Sequence, residues 1–225
     1  MRLLLGVLVL VGCGDNLSTD YYQDANVPLD CSKATATLVD VASSGLVTSK
    51  DTVIPLSPSA NGDLMIVAVA SDSTDFYGEV SVADSTKTLQ IAMSTEPCGK
   101  WAYNLAFFDA GPAADAVHVS SRAAGTFVAF VARFSGLSIA EDAHKGRYAW
   151  SPQPTGADVE ACPGTALVTT SISCSELTLA PESPFTLIDS ARGLAAAAYV
   201  PSERGLYGAT WRADGESSSM TIAFP

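Results

Sequence analysis

From Ala34 to Phe224 the chain is written in short runs rich in Val, Thr, Ile, Phe and Tyr, separated by clusters of Gly, Pro, Asp and Ser. Branched and aromatic side chains suit the pleated, half-buried surface of a strand, while Gly and Pro punctuate turns. No segment carries the apolar spacing of a long amphipathic helix. The pattern predicts an all-β chain folded as a β-sandwich. Strands are expected at Ala34–Val41, Leu64–Ser71, Glu79–Val82, Thr88–Met93, Ala102–Asp109, Ala116–Ser120 and Thr126–Phe134. In the second half they are expected at Ala166–Ser173, Leu177–Ala180, Thr186–Asp189, Leu194–Val200, Tyr207–Arg212 and Ser218–Phe224. With 225 residues, 48% of them hydrophobic and 16% charged, the chain can bury a full core and is not intrinsically disordered.

The two halves share a rhythm. Gly62-Asp63-Leu64-Met65-Ile66-Val67 is echoed by Gly164-Thr165-Ala166-Leu167-Val168-Thr169, and Thr88-Leu89-Gln90 by Thr186-Leu187-Ile188. Asn104-Leu105-Ala106-Phe107-Phe108 has the texture of Ala196-Ala197-Ala198-Tyr199-Val200. Ancestral duplication and two Greek-key halves of one sandwich both produce such a rhythm, and the second is the simpler expectation.

The N-terminus has a different composition. Arg2 precedes an apolar run from Leu3 to Val11, followed by Gly12 and Cys13. Nine apolar residues are about half of the roughly 18 needed to cross a bilayer, so the run reads as the apolar region of a secretory signal. Leu10-Val11-Gly12-Cys13 resembles the lipobox of bacterial lipoproteins. The resemblance implies diacylglyceryl transfer to the Cys13 thiol, cleavage before it and acylation of the new amine. Residues 1–12 are then the signal peptide, 13–32 the acylated cysteine with a flexible linker, and 33–225 the folded domain. Several acyl chains at about 0.8 kcal/mol per buried CH₂ hold a protein on a membrane without crossing it. Gly14 follows the cysteine, and Asp15 stands one place beyond the position that resembles an inner-membrane retention signal. Outer-membrane or cell-surface placement is therefore the expectation.

Beyond the lipobox, Gly62–Val69, the strand Trp101–Asp109 and Phe127–Leu137 together resemble a jelly-roll sandwich found in uncharacterised bacterial exported and surface proteins. The likeness spans roughly Thr52 to Phe224 and lacks the Pro-Gly-Trp that follows the first core strand in that pattern. It implies a lectin-like architecture and no particular activity.

An exported chain meets an oxidising compartment, and with Cys13 acylated an even number of cysteines remains: Cys31, Cys98, Cys162 and Cys174. Two disulfides are expected. A strand over Thr165–Ser173 holds its flanking cysteines roughly 30 Å apart, far beyond the roughly 7 Å that a disulfide allows, so Cys162 does not pair with Cys174. Cys31 should join one of the late pair and Cys98 the other.

Little in the sequence points to chemistry. A formal charge of −12 repels the phosphate backbone, which argues against nucleic-acid binding. There is no nucleophile elbow, Walker loop or dinucleotide fingerprint, and the cysteines show no zinc-type spacing, so neither a cofactor nor a metal is expected. His118, within Val117-His118-Val119, reads as a strand residue, and His144 belongs to a solvated loop. Asp72, Asp75 and Glu79 lack the spacing of a calcium loop. Trp101, Tyr103, Leu105 and Phe107 alternate as core residues, and Tyr207, Ala209 and Trp211 repeat the pattern. Trp150, beside Tyr148 and before Ser151-Pro152-Gln153-Pro154, falls in an expected connection, which makes Tyr148 and Trp150 the candidate ligand-binding aromatics.

These residues read as a membrane-anchored exported lipoprotein carrying a non-catalytic binding or adhesion module, with carbohydrate as one ligand class. An envelope carbohydrate-active enzyme using paired carboxylates and a structural component of an envelope protein assembly are the alternatives. The partners expected are the membrane, through the lipid, and a polysaccharide or envelope protein. Replacing Cys13 by Ala should move the protein from the membrane to the soluble fraction, and retention of that variant on membranes would overturn the lipoprotein assignment.

Overall fold

The computed structural model describes residues 31–32, 35–57, 63–71, 78–82, 85–88, 90–94, 102–110, 115–137, 145–151, 158–173, 180–212 and 217–224. Its regular elements are strands: β1 (Thr37–Pro55), β2 (Asp63–Ser71), β3 (Gly78–Val82), β4 (Ser85–Thr88), β5 (Gln90–Ser94), β6 (Ala102–Ala110), β7 (Ala116–Ser135) and β8 (Lys145–Ser151). They continue with β9 (Val159–Ala161), β10 (Ala166–Ser173), β11 (Ala180–Pro181), β12 (Thr186–Ala191), β13 (Leu194–Tyr199), β14 (Gly205–Tyr207), β15 (Trp211–Arg212) and β16 (Ser217–Phe224). The all-β expectation is met. Among the described residues no helix is long and apolar enough to cross a membrane.

Two main sheets divide the chain by halves. The first runs β4-β3-β7-β2-β6-β5, with β1 on the other edge of β7, and the second runs β12-β13-β10-β16-β8. The echoes in the sequence fall on equivalent places. In one half the path is β1-β7-β2-β6-β5 and in the other β8-β16-β10-β13-β12, the same order when strands are counted along each half. The shared rhythm is therefore a repeat of topology, with each half building its own sheet.

The central strand of each sheet explains the layering. Every residue of β2 and of β10 is buried, so both of their faces must be covered. Alternation sends Leu64, Ile66, Ala68 and Ala70 of β2, with Val128, Phe130, Ala132 and Phe134 of β7, into one apolar cluster. Val168 and Ile172 of β10, Leu194, Ala196 and Ala198 of β13, and Met220, Ile222 and Phe224 of β16 enter the same cluster from the second sheet. The intervening residues face outward into two further clusters. Met65, Val67 and Val69 meet Val80 and Val82 of β3 and Val117 and Val119 of β7, so the first sheet curls over its own back. Leu167, Ala195, Ala197 and Ala223 are covered by Val159, Ala161, Phe185, Ala209 and Trp211. The cover over the second sheet comes from two small ribbons, β9 with β14 and β11 with β15. Full burial of one Phe or Leu side chain contributes about 1.5–3 kcal/mol, so these clusters dominate the favourable side of folding.

Several expected turns are continuous strand. The expected strand at Ala34–Val41 is β1, which continues to Pro55 through Ser43-Ser44-Gly45. Gly45 lies at φ +62°, and register shifts at Leu38/Asp40, Ser43/Leu46 and Ser49/Asp51 absorb the extra residues as bulges. Such bulges also protect an edge strand from unwanted pairing. The strands expected at Ala116–Ser120 and Thr126–Phe134 merge into β7, because β1 pairs with it along its length. Conversely, Thr88–Met93 divides into β4 and β5, and Tyr207–Arg212 into β14 and β15. Between β12 and β13, Arg192 at φ +49° and Gly193 at φ +73° form a two-residue hairpin turn of the type that matches strand twist.

Before β1, the chain is tied to both sheets. Cys31 is disulfide-bonded to Cys162, with Cα atoms 5.2 Å apart. The Thr35 hydroxyl donates to the Gly136 carbonyl at 2.6 Å, and the Ala36 amide donates to the Gly164 carbonyl at 2.7 Å. Gly164, at φ +77°, in turn donates its amide to the Pro201 carbonyl at 2.9 Å. A disulfide closing a loop with sequence separation 131 contributes roughly 5 kcal/mol in the chain-entropy account. Cys98 and Cys174 lie outside the described residues, as does Cys13.

Gly136 combines φ +85° with a site where an added Cβ would come 2.5 Å from the Thr35 carbonyl oxygen. Gly45 has a similar φ but open space around it. Gly136→Ala should therefore lower stability by about 2 kcal/mol or more and Gly45→Ala by about 1 kcal/mol, read as the difference in denaturant midpoint. Equal losses would contradict this account of the Thr35–Gly136 contact.

Candidate functional site

The outer ribbon over the second sheet gathers the aromatic side chains best placed to meet a ligand. β13 ends at Tyr199, the chain turns through Pro201-Ser202-Glu203-Arg204, and β14 returns to pair with β9, setting Tyr207 opposite Val159 and Leu206 opposite Glu160. Tyr207 lies back across Gly205: a Cβ at that position would stand 3.3 Å from Cε2 of the ring. Its hydroxyl donates to the Glu203 carbonyl at 2.8 Å. The Tyr199 ring is 5.7 Å from that of Tyr207 and 5.5 Å from that of Phe185, both pairs tilted by 51°. Phe185 is buried, whereas Tyr199 and Tyr207 are half-buried. The row thus begins in the core and ends at solvent.

Polar groups flank it. Arg204 donates to Glu160 Oε1 through Nε at 3.0 Å and through Nη2 at 2.6 Å, and both side chains are well exposed. Leu206, beside them, is 66% exposed, the most exposed large hydrophobic residue among those described. Arg212 and Glu182 form a looser exposed pair at 3.7 Å. Burial, then the nearby Tyr199 and Glu203, push the Tyr207 phenol above its ordinary value of 10.0. Alternation along the β9–β14 ribbon turns Tyr207 and Val159 toward the second sheet and Glu160 and Leu206 outward, so the ribbon carries a half-buried aromatic face on one side and an exposed charged and apolar face on the other.

A second group of charges is internal. Arg133 in β7, 2% exposed, lies 3.5 Å from the Asp63 carboxylate through Nε and 3.9 Å from that of Asp40 through Nη2. Its Nη1 donates to the Ser57 carbonyl, while Asp40 accepts the amides of Val41 at 2.9 Å and Ser57 at 3.1 Å. These contacts join the start of β1, the residues after it, β2 and β7. The guanidinium between two carboxylates bridges four segments of the first half of the chain.

The residues singled out in the sequence are distributed differently. Tyr148 and Trp150 sit in β8, where they pair with Met220 and Ser218 of β16; the expected connection is an edge strand, because β16 offers a free partner edge there. His118 is an exposed residue of β7 opposite Val53 and Ser81, and Glu79 is exposed in β3. Of the expected core row Tyr207, Ala209 and Trp211, Ala209 at 0% and Trp211 at 1% exposure are buried while Tyr207 is half-buried, because the chain leaves strand conformation between β14 and β15. Trp101, His144, Asp72 and Asp75 lie outside the described residues, and Tyr103, Leu105 and Phe107 are placed in β6 by their backbone pairing with β2. Among the described residues no three His, Cys, Asp or Glu side chains are grouped to hold a metal ion. The Phe185–Tyr199–Tyr207 row has no local signature, since its members come from three segments brought together by packing over the second sheet.

The chain matches no family model, and no curated protein is significantly similar to it. Among solved structures it is similar to AerE from Microcystis aeruginosa, at 10% identity and a TM-score of 0.38 over 85% of this chain and 98% of that one. It is also similar to a mutant of the Bacillus subtilis oxalate decarboxylase OxdC, at 11% identity and a TM-score of 0.22 over 91% of this chain and 78% of that one.

Removing one member of the internal charge group tests its role. Arg133→Met leaves Asp63, 3% exposed, without its cation, and should cost about 3–5 kcal/mol of stability, read by chemical denaturation. A loss below about 1 kcal/mol would show that the group does not hold the segments together.

Proposed function

We propose that the protein is an exported, lipid-anchored component of the cell envelope whose β domain is a non-catalytic binding or adhesion module for carbohydrate. The observation that carries the binding role is the half-buried ring pair of Tyr199, at the end of β13, and Tyr207, in the β14 ribbon, whose opposite, outward face shows Arg204, Glu160 and exposed Leu206. Sugar rings present apolar faces and peripheral hydroxyls, and the edges of these half-buried rings, with the exposed donors and acceptors of the same ribbon, suit both. Tyr148 and Trp150, at the β8 edge, are a further candidate contact on the same half of the chain. Export is supported by the Cys31–Cys162 disulfide, which belongs to an oxidising compartment. Attachment follows from acylation of Cys13 in the lipobox-like Leu10–Cys13 segment, with the outer membrane or the cell surface as destination. In architecture we read the two facing sheets as a jelly-roll-like variant in which each half of the chain supplies one sheet.

The test incubates residues 31–225 with a panel of envelope and extracellular polysaccharides and measures retention and sugar release together. Retention without release is expected, weakened about two- to tenfold by Tyr207→Ala or Tyr199→Ala, since an aromatic contact contributes about 0.5–1.5 kcal/mol. Release of sugar would make the protein an enzyme, and neither retention nor release would make protein partners its ligands.

A further inference from the structure

The outer face of the second sheet changes chemistry along its strands. Val168 and Ile172 of β10 and Met220 and Ile222 of β16 belong to the cluster between the sheets, so alternation turns Thr169, Ser171 and Ser173, with Ser219 and Thr221, to the outer side. The hydroxyls of Thr169 and Thr221, which face each other across the strand pair, are hydrogen-bonded at 3.2 Å. At Leu167 and Ala223, nearer the start of β10, the same face is apolar and packs with Val159 and Ala161. Beyond them it is a strip of hydroxyls, and each of these Ser and Thr residues is at most 5% exposed. A hydroxyl taken out of bulk solvent must find its hydrogen bonds inside the molecule.

Two polar atoms of this layer, Ser219 Oγ and the indole Nε1 of Trp211, have no hydrogen-bond partner among the described residues. Ser219 is 3% exposed and Trp211 1%. They enter the layer from different sides. Ser219 stands on the sheet, in one cross-strand row with Ser171 and Ala195. Trp211 comes from the β11–β15 ribbon and packs in the cluster that contains Ala195 and Ala197. A donor on the cover and a hydroxyl on the floor, in a layer floored by short Ser, Thr and Ala side chains, are the partners that an enclosed water requires.

We propose that the second sheet and its cover enclose a built-in site for ordered water, which accepts the Trp211 Nε1 proton and hydrogen-bonds to Ser219 Oγ. The β11–β15 ribbon is then held in two ways, by apolar packing beside Ala195 and Ala197 and through water toward β16. Thr170 supplies the contrast. Its hydroxyl, in a residue 1% exposed, also lacks a partner, but it lies on the opposite face of β10 beside Val168, Ile172, Ala196 and Met220. A water needs two to four polar partners, which those neighbours do not offer.

A crystal structure of the mature chain at a resolution that shows ordered solvent tests the proposal. Ordered water is expected within about 3.2 Å of both Ser219 Oγ and Trp211 Nε1. A direct protein partner for either atom, or no water beside them, would overturn it. Stability in solution gives an independent reading. Ser219→Ala removes a hydroxyl satisfied through water and should lower the folding equilibrium constant about two- to tenfold, whereas Thr170→Val removes one with nothing to bond and should raise it. A constant that Ser219→Ala leaves unchanged or raises would also overturn the proposal. Neither measurement involves lipid or sugar, so failure here is separate from failure of the Cys13 fractionation or of the polysaccharide panel.

Discussion

Burial of a central strand on both faces is the constraint from which this architecture follows. A sheet with one wet face needs a single partner layer, whereas β2 and β10 present apolar or small side chains in both directions and require a layer on each side. The two halves meet that need together on one face and separately on the other. They share the cluster between the sheets, while the first sheet curls over its own back and the second recruits two short ribbons. Alanines at 195 to 198 suit this arrangement, because small residues let layers approach closely above and below β13. One of the ribbons that satisfy the second sheet also carries half-buried Tyr207 against Tyr199 of β13, so a packing requirement places the candidate site.

Much of this was legible in the residues, and the limits have physical causes. The near-continuous apolar runs of Leu64–Ala70, Phe127–Ala132 and Leu194–Val200 reveal strands because burial on both faces leaves a local trace. The Ser43-Ser44-Gly45 and Ser121–Gly125 stretches mislead for the opposite reason. Their local chemistry favours turns, but cross-strand pairing between β1 and β7 carries the backbone through, with bulges taking up the mismatch. β8 escapes notice because its composition is that of a connection, and only the free edge of β16 makes it a strand. The charge group around Arg133 and the ring row through Tyr199 join residues distant in sequence, so no spacing announces them.

The cysteines show the same division between local and tertiary information. Strand length was sufficient to keep Cys162 from its neighbour Cys174, since that needs only the rise per residue. That Cys162 is the partner of Cys31 follows from the meeting of the N-terminal segment with the β9–β10 turn, fixed by the Ala36–Gly164 and Gly164–Pro201 hydrogen bonds. The disulfide thus seals a junction that backbone hydrogen bonds already define.

Division of the sheets by halves has a consequence for the order in which the molecule can be made. Every strand of the first sheet has its hydrogen-bonding partners once Ser135 has been synthesised, and the second sheet draws all of its strands from Lys145 onward. Pairing is therefore sequential along a chain that emerges from its N-terminus, and no strand waits across the midpoint for a neighbour. What does wait is an apolar face: Leu64, Ile66, Phe130 and Phe134 stay uncovered until the later half arrives. Cys31 waits with it for Cys162, so the covalent ring can close only after every strand of the first sheet has been made, while β8 and β9, which it also encloses, wait further for β16 and β14.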